Sequence, residues 1–112
     1  IALAELGLAF NESLNYLSLS GVETSIAWQG EGTLDIDRTL AIYETFQNIL
    51  ELHYPDIDRV DISLEPRGNL ICIMISIGAG EIHSLPKVNK CLDLKEDLQK
   101  GLWLIKVEGA IL

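Results

Sequence analysis

The chain reads as an α+β protein, a two-layer sandwich with helices packed on one face of a mixed β-sheet. Three observations predict this. Apolar residues recur at spacings of three and four over residues 3–17 and again over 36–52, the period of helices with a buried face. Val22, Thr24, Ile26 and Trp28 alternate with Glu23, Ser25 and Ala27, and apolar residues alternate with polar ones over 60–65, the period of half-buried strands. A six-residue apolar run over 70–75 is far too short to cross a bilayer and has the length of a strand at the centre of a sheet or covered on both faces.

The elements follow in order. Leu3, Leu6, Phe10, Leu14 and Leu17 mark the first helix, which Ser20-Gly21 ends. Val22, Thr24, Ile26 and Trp28 form one face of the first strand, closed by Gly30-Glu31-Gly32. Asp35 is placed to cap a second helix beginning at Ile36, and Pro55 stops it. Leu40, Ile42, Tyr43, Phe46, Ile49 and Leu50 surround most of that helix, so it is expected to lie sandwiched, with Asp37, Glu44, Asn48 and Glu51 as its polar stripe. Val60, Ile62 and Leu64 begin a hairpin that turns at Pro66-Arg67-Gly68-Asn69 into the apolar run ending at Ile77. After Gly78-Ala79-Gly80 periodicity is lost until about residue 92, as in a long loop. Asp93 with Glu96 three residues on looks like a capping box, and Leu94, Leu98, Leu102 and Ile105 then predict a last helix stopped near Gly109, with residues 109–112 entering a further strand.

Charge and cysteine content narrow the function classes. Seventeen acidic against eight basic side chains leave a net charge of −9, which argues against a nucleic-acid or anionic-membrane footprint. Five lysines (Lys87, Lys90, Lys95, Lys100 and Lys106) crowd the last quarter, where they read either as a phosphate-facing loop or as the solvated side of the last helix. Cys72 and Cys91 are too few for a disulfide framework or a cysteine-based zinc site, so both are expected to be reduced thiols in a cytoplasmic setting. Residues 1–112 are expected to be one domain, a fragment of a longer chain because residue 1 is Ile and not Met. Cys72 and Met74 are expected in the core, Trp28 and Trp103 in the core or an interface, and His53 and His83 at the surface or capping a helix.

Two constellations carry chemistry. Glu44 and Asn48 stand one helical turn apart, so their side chains share a face. An amide oxygen is a hard ligand suited to Mg²⁺, and a neighbouring carboxylate can orient or deprotonate a nucleophile, although the same pair is common on solvated helix faces. Ser76-Ile77-Gly78-Ala79-Gly80 directly follows the most apolar strand, where glycines either make a turn or let the backbone approach a ligand. Neither a Rossmann nor a Walker loop fits.

Together, the element order, the segment Tyr43-Glu44-Thr45-Phe46-Gln47-Asn48-Ile49-Leu50, the hairpin over 59–77 and the Gly-x-Gly after it resemble the ATP-binding catalytic domain of bacterial sensor histidine kinases. These are GHKL-type ATPases, and the likeness is greatest to the branch that acts on NarL/LuxR-type response regulators. The resemblance covers about residues 3–112 and implies a histidine-kinase ATPase-like sandwich that binds Mg·ATP for phosphoryl transfer in two-component signalling. It implies that Asn48 holds the Mg²⁺ bridging the phosphates and that Glu44 is the catalytic base or water-positioning group. Ser76, Gly78 and Gly80 align with the family's Asp-x-Gly-x-Gly and would line the nucleotide, with Ser76 standing where the family has Asp. Gly101-Leu102 is what remains of the second glycine box, Gln99 replacing its first glycine, and the family's final hairpin is not legible.

The implied partners are the dimerisation and phosphoacceptor domain of the same kinase and, indirectly, a response regulator, with no nucleic acid and no membrane contact by this segment. The isolated chain, lacking its acceptor, is not expected to phosphorylate anything. The alternative is a degenerate ATPase-like module with weak or no nucleotide binding, acting in protein interaction or regulation; an unrelated α+β domain is the third.

Overall fold

A computed structural model of the chain describes residues 2–85 and 92–108. The first apolar stripe forms α1 (Leu3–Leu19), burying Leu3, Leu6, Phe10 and Leu14. After Gly21, whose φ of +89° suits glycine, the chain enters β1 (Glu23–Trp28). The second stripe forms α2 (Ile36–His53), where the Asp35 carboxylate accepts the Arg38 backbone N–H as an N-cap should. That hydrogen bond and the Arg38 guanidinium hold Asp35 below the ordinary aspartate pKa. β2 (Ile57–Arg67) turns at Gly68, with φ +63°, into β3 (Leu70–Ala79). β4 (Asp93–Asp97) and β5 (Leu102–Glu108) complete the chain.

The five strands lie in the order β1-β2-β3-β5-β4, with β1 parallel to β2 and every other pair antiparallel. The sheet is therefore mixed, and the most apolar strand is its centre. Its register sorts the side chains by face. One row, Ile26, Ile62, Ile75, Trp103 and Glu96, runs across all five strands, and Ile62, Ile75 and Trp103 are packed with Phe10, Ile42, Phe46 and Ile49 in the core. The adjacent row, Ser25, Asp61, Ser76, Leu102 and Asp97, alternates to the other face of the sheet. There Ser25 Oγ–H donates to Asp61, which also pairs with Arg59. Burial is the largest influence on Asp61 and pushes its pKa up, but these two partners outweigh it and leave the group below its usual range. Phe10 stacks on Tyr43 and meets Phe46 edge-on, welding α1 to α2.

Several expectations require correction. Residues 93–108 form a hairpin of two strands, not a helix. Spacings of four in Leu94, Leu98 and Leu102 satisfy a period of two as well as one of 3.6, while Trp103, Ile105 and Val107 are buried and alternate with half-buried Leu102, Leu104 and Lys106. The described part of the chain therefore ends in a strand hairpin. Lys95 and Lys106 consequently stand on strands, and the expected strand over 109–112, with Lys87, Lys90 and Cys91, lies outside the described residues. α2 is not sandwiched, since Leu40 is 59% exposed and the polar stripe faces outward. Met74 is 40% exposed on the open face of the sheet and is not core, and His53 is 3% exposed, so of the two roles expected of it the surface one is excluded while its ring bonds a carbonyl in the last turn of α2.

Candidate functional site

α2 presents Glu44 and Asn48 on one side, a turn apart, and both are exposed. Among the described residues neither side chain has a hydrogen-bond or ion-pair partner. Ser76 does not face them, because it belongs to the sheet row turned away from the core while α2 packs on the core side. Gly78 lies against the Asp58 side chain, and a Cβ there would come within 2.3 Å of Oδ1. Gly80 is exposed, with open space where a side chain would stand.

Gly101 is the last residue of the β4–β5 turn, which is closed by Lys100 N–H donating to Asp97 O and Gly101 N–H donating to Leu98 O. Its φ is +63°, and its carbonyl accepts the Ile77 N–H at 2.9 Å. The fold thus brings Gly101 beside the end of β3, next to Gly78. It places Glu44 and Asn48 together on α2 and leaves Ser76 on the opposite face.

These positions can be set beside what Mg·ATP requires. Mg²⁺ demands near-octahedral oxygen ligation. Asn48 and Glu44 offer two protein groups at most from an open helix surface. The glycine that would frame a phosphate-binding helix start instead closes a tight strand turn, so its N–H groups are committed to the hairpin. Ser76 and Asn48 are set on different sides of the sheet. The described residues therefore do not assemble the complete cradle that the resemblance implies, and no step is derived through the nucleotide.

Sequence reasoning missed a network beside α2 that runs from buried His53 and Trp103 to exposed Glu96 and Ser84. His53 Nδ1–H donates to the Ile49 carbonyl at 2.6 Å, and the His83 backbone N–H donates to His53 Nε2 at 2.9 Å. A carbonyl only accepts and an amide N–H only donates, so this geometry requires a neutral ring protonated at Nδ1. Trp103 meets the ring edge-on at 5.3 Å and points its Nε1–H to Glu96 Oε1 at 3.2 Å. The same carboxylate accepts the Ser84 hydroxyl at 2.8 Å and the Leu85 N–H at 3.1 Å. Residues 83–85 are thereby tied to both α2 and β4, and Leu85 is pressed into the core.

One signal for this existed. His53 falls four residues after Ile49 and seven after Phe46, on the buried stripe of α2, but nearby Pro55 made it look like loop. Glu96 stands out in the sequence only as half of a capping box with Asp93; it lies on β4 instead, and its bonds to Ser84, Leu85 and Trp103 follow from the hairpin. Glu96→Ala is expected to speed hydrogen exchange at the Leu85 amide by about tenfold, the equivalent of roughly 1.4 kcal/mol of lost local stability. Exchange in β2 and β3 should be unaltered, and unchanged exchange at Leu85 would show that the carboxylate does not hold this segment.

No protein-family model matches the chain, and no curated protein sequence matches it. Among solved structures it is similar to the histidine kinase ThkA, determined in complex with the response regulator protein TrrA. That similarity has a TM-score of 0.61 at 12% identity and covers 96% of this chain but 39% of ThkA. The likeness shows a histidine-kinase-related fold, and the mixed five-stranded sheet with two helices is consistent with the ATPase-like two-layer sandwich. No helix among the described residues is long and apolar enough to cross a membrane.

Proposed function

We propose that the chain is a histidine-kinase-type module of two-component signalling that works by protein contact or regulation, with weak or no affinity for Mg·ATP. One observation carries this reading. The segment matching the second glycine box is the turn of a strand hairpin, closed on itself by backbone hydrogen bonds and bonded to β3. The outward-turned Ser76 supports it further, because a group on the far face of the sheet cannot read an adenine held on the helix side. Candidate partners are a phosphoacceptor domain and, through it, a response regulator, the class of protein with which ThkA was solved.

The second reading, an ATP-binding catalytic domain with Asn48 at Mg²⁺ and Glu44 as base, is favoured by the shared exposed face of these two residues on α2. Calorimetric titration separates the two. The proposed function expects no saturable heat and no shift in thermal unfolding with millimolar Mg·ATP or Mg·ADP. Saturable binding that requires Mg²⁺ and disappears in Asn48→Ala would overturn it in favour of the kinase domain.

A further inference from the structure

A groove of about 320 Å³ is lined by Leu17 of α1, by Gln47, Leu50 and Glu51 of α2, and by Tyr54 and Ile57 just beyond it. Its floor is apolar, with Ile57 buried and Leu17 and Leu50 half-buried, and Tyr54 stands at its rim 65% exposed. Leu50 and Tyr54 are one helical turn apart, so they form a ridge of the spacing that a second helix accepts. Its apolar floor is turned away from Asn48, since at 3.6 residues per turn Leu50 lies roughly 160° around α2 from Asn48, whereas its acidic wall at Glu51 adjoins the stripe that carries Asn48.

The surrounding charge is acidic. Glu51 is part of the wall, and exposed Asp56 and Asp58 flank Ile57 in the chain. Exposed Glu23, at the start of β1, is in register with Arg59. Of the cations among the described residues, Arg59 stands at this end and is shared between Asp61 at 2.6 Å and Glu23 at 3.7 Å, so it does not pair with Glu51 or Asp56. Arg38 is paired with Asp35 at the opposite end of α2, Arg67 with Glu65 at the far end of β2, and Lys95, Lys100 and Lys106 belong to the β4–β5 hairpin at the other edge of the sheet.

We infer that this groove docks a basic amphipathic helix of a partner protein. Its apolar face would lie on Leu17, Leu50, Tyr54 and Ile57, and its Lys or Arg side chains would meet Glu51 and Asp56. Charge complementarity selects this occupant, since an apolar floor with an acidic wall rewards a helix that is oily on one side and basic along its flanks. The inference rests on the protein-contact reading above and gives that contact a place and a chemistry.

The probe is a labelled synthetic helical peptide of about 16 residues, with leucines at spacings of three and four and lysines on both flanks. Fluorescence anisotropy should show saturable binding that weakens at least about tenfold between low and high salt. A matched peptide with glutamates in place of the lysines should not bind. Glu51→Lys and Tyr54→Ala, both at exposed positions, should each weaken binding by about tenfold, while Leu8→Ser on the exposed side of α1 should leave it unchanged.

Absent binding, equal binding of the acidic peptide, or indifference to Glu51→Lys and Tyr54→Ala would overturn the docking site. So would a concentration-dependent dimer dispersed by Glu51→Lys, which would make a second copy the occupant. Failure here leaves the nucleotide titration untouched, and saturable Mg·ATP binding would overturn the proposed function without altering peptide binding.

Discussion

Trp103→Ala is expected to lower the free energy of unfolding by about 3–5 kcal/mol, a large part of the roughly 5–15 kcal/mol available to a domain of this size. Trp103 is 0% exposed. Its indole sits in register with Ile75 and Glu96, packs edge-on against His53 and donates to the Glu96 carboxylate. Truncation empties a space bounded by a sheet and a helix, neither of which can collapse freely into it. Trp103→Phe keeps most of the ring volume and should lose only about 1–2 kcal/mol, through a smaller cavity and the missing indole N–H. Urea unfolding checks both, with the slope unchanged if the transition stays two-state. A loss below about 1 kcal/mol for Trp103→Ala would mean that this strand does not pack as the core of the sheet.

Gly101→Ala is expected to cost about 2–4 kcal/mol, from a left-handed backbone that a side chain disfavours and from a backbone clash. The φ of Gly101 is +63°, and an added Cβ would lie 2.3 Å from the Ile77 carbonyl oxygen. Backbone cannot rotate aside as a flexible side-chain tip can. Moreover, the Gly101 carbonyl holds the Ile77 N–H, so any shift of the turn loosens β3 as well. Gly21→Ala is the control: φ is +89°, but nothing lies within 4 Å, so only a conformational cost of about 1 kcal/mol is expected. Thermal or urea unfolding of the two variants measures the difference. Equal, small effects would remove the hairpin turn as the role of Gly101.

The residues that misled are instructive. A leucine every fourth position is ambiguous, because four is both about one helical turn and two strand repeats. In 93–108 the ambiguity was resolved by β-branched Ile105 and Val107 and by the glycine between the strands, signals weaker than the leucine spacing itself. His53 was on the helical stripe all along, two residues before a proline that ends the helix. The pairing of Glu44 with Asn48 was legible, since it depends only on helical geometry. Whether Ser76 could join them was not, because the orientation of one residue of β3 depends on which alternate positions the helices cover.

The amino-acid sequence by itself determined the two helices with their capping Asp35 and stopping Pro55 and the β2–β3 hairpin at Gly68, and it left the oily strand either central in the sheet or covered on both faces, because caps, turns and apolar periods act through near neighbours. Tertiary structure decided the rest: the β4–β5 hairpin, the outward face of Ser76, the neutral His53 wedged between Ile49 and His83, and the acid-rimmed groove between α1 and α2. Apart from the β4–β5 hairpin, whose leucine spacing allowed two local readings, each of these brings together groups far apart in the chain, and such contacts are set by how layers pack and strands register, which no local window records.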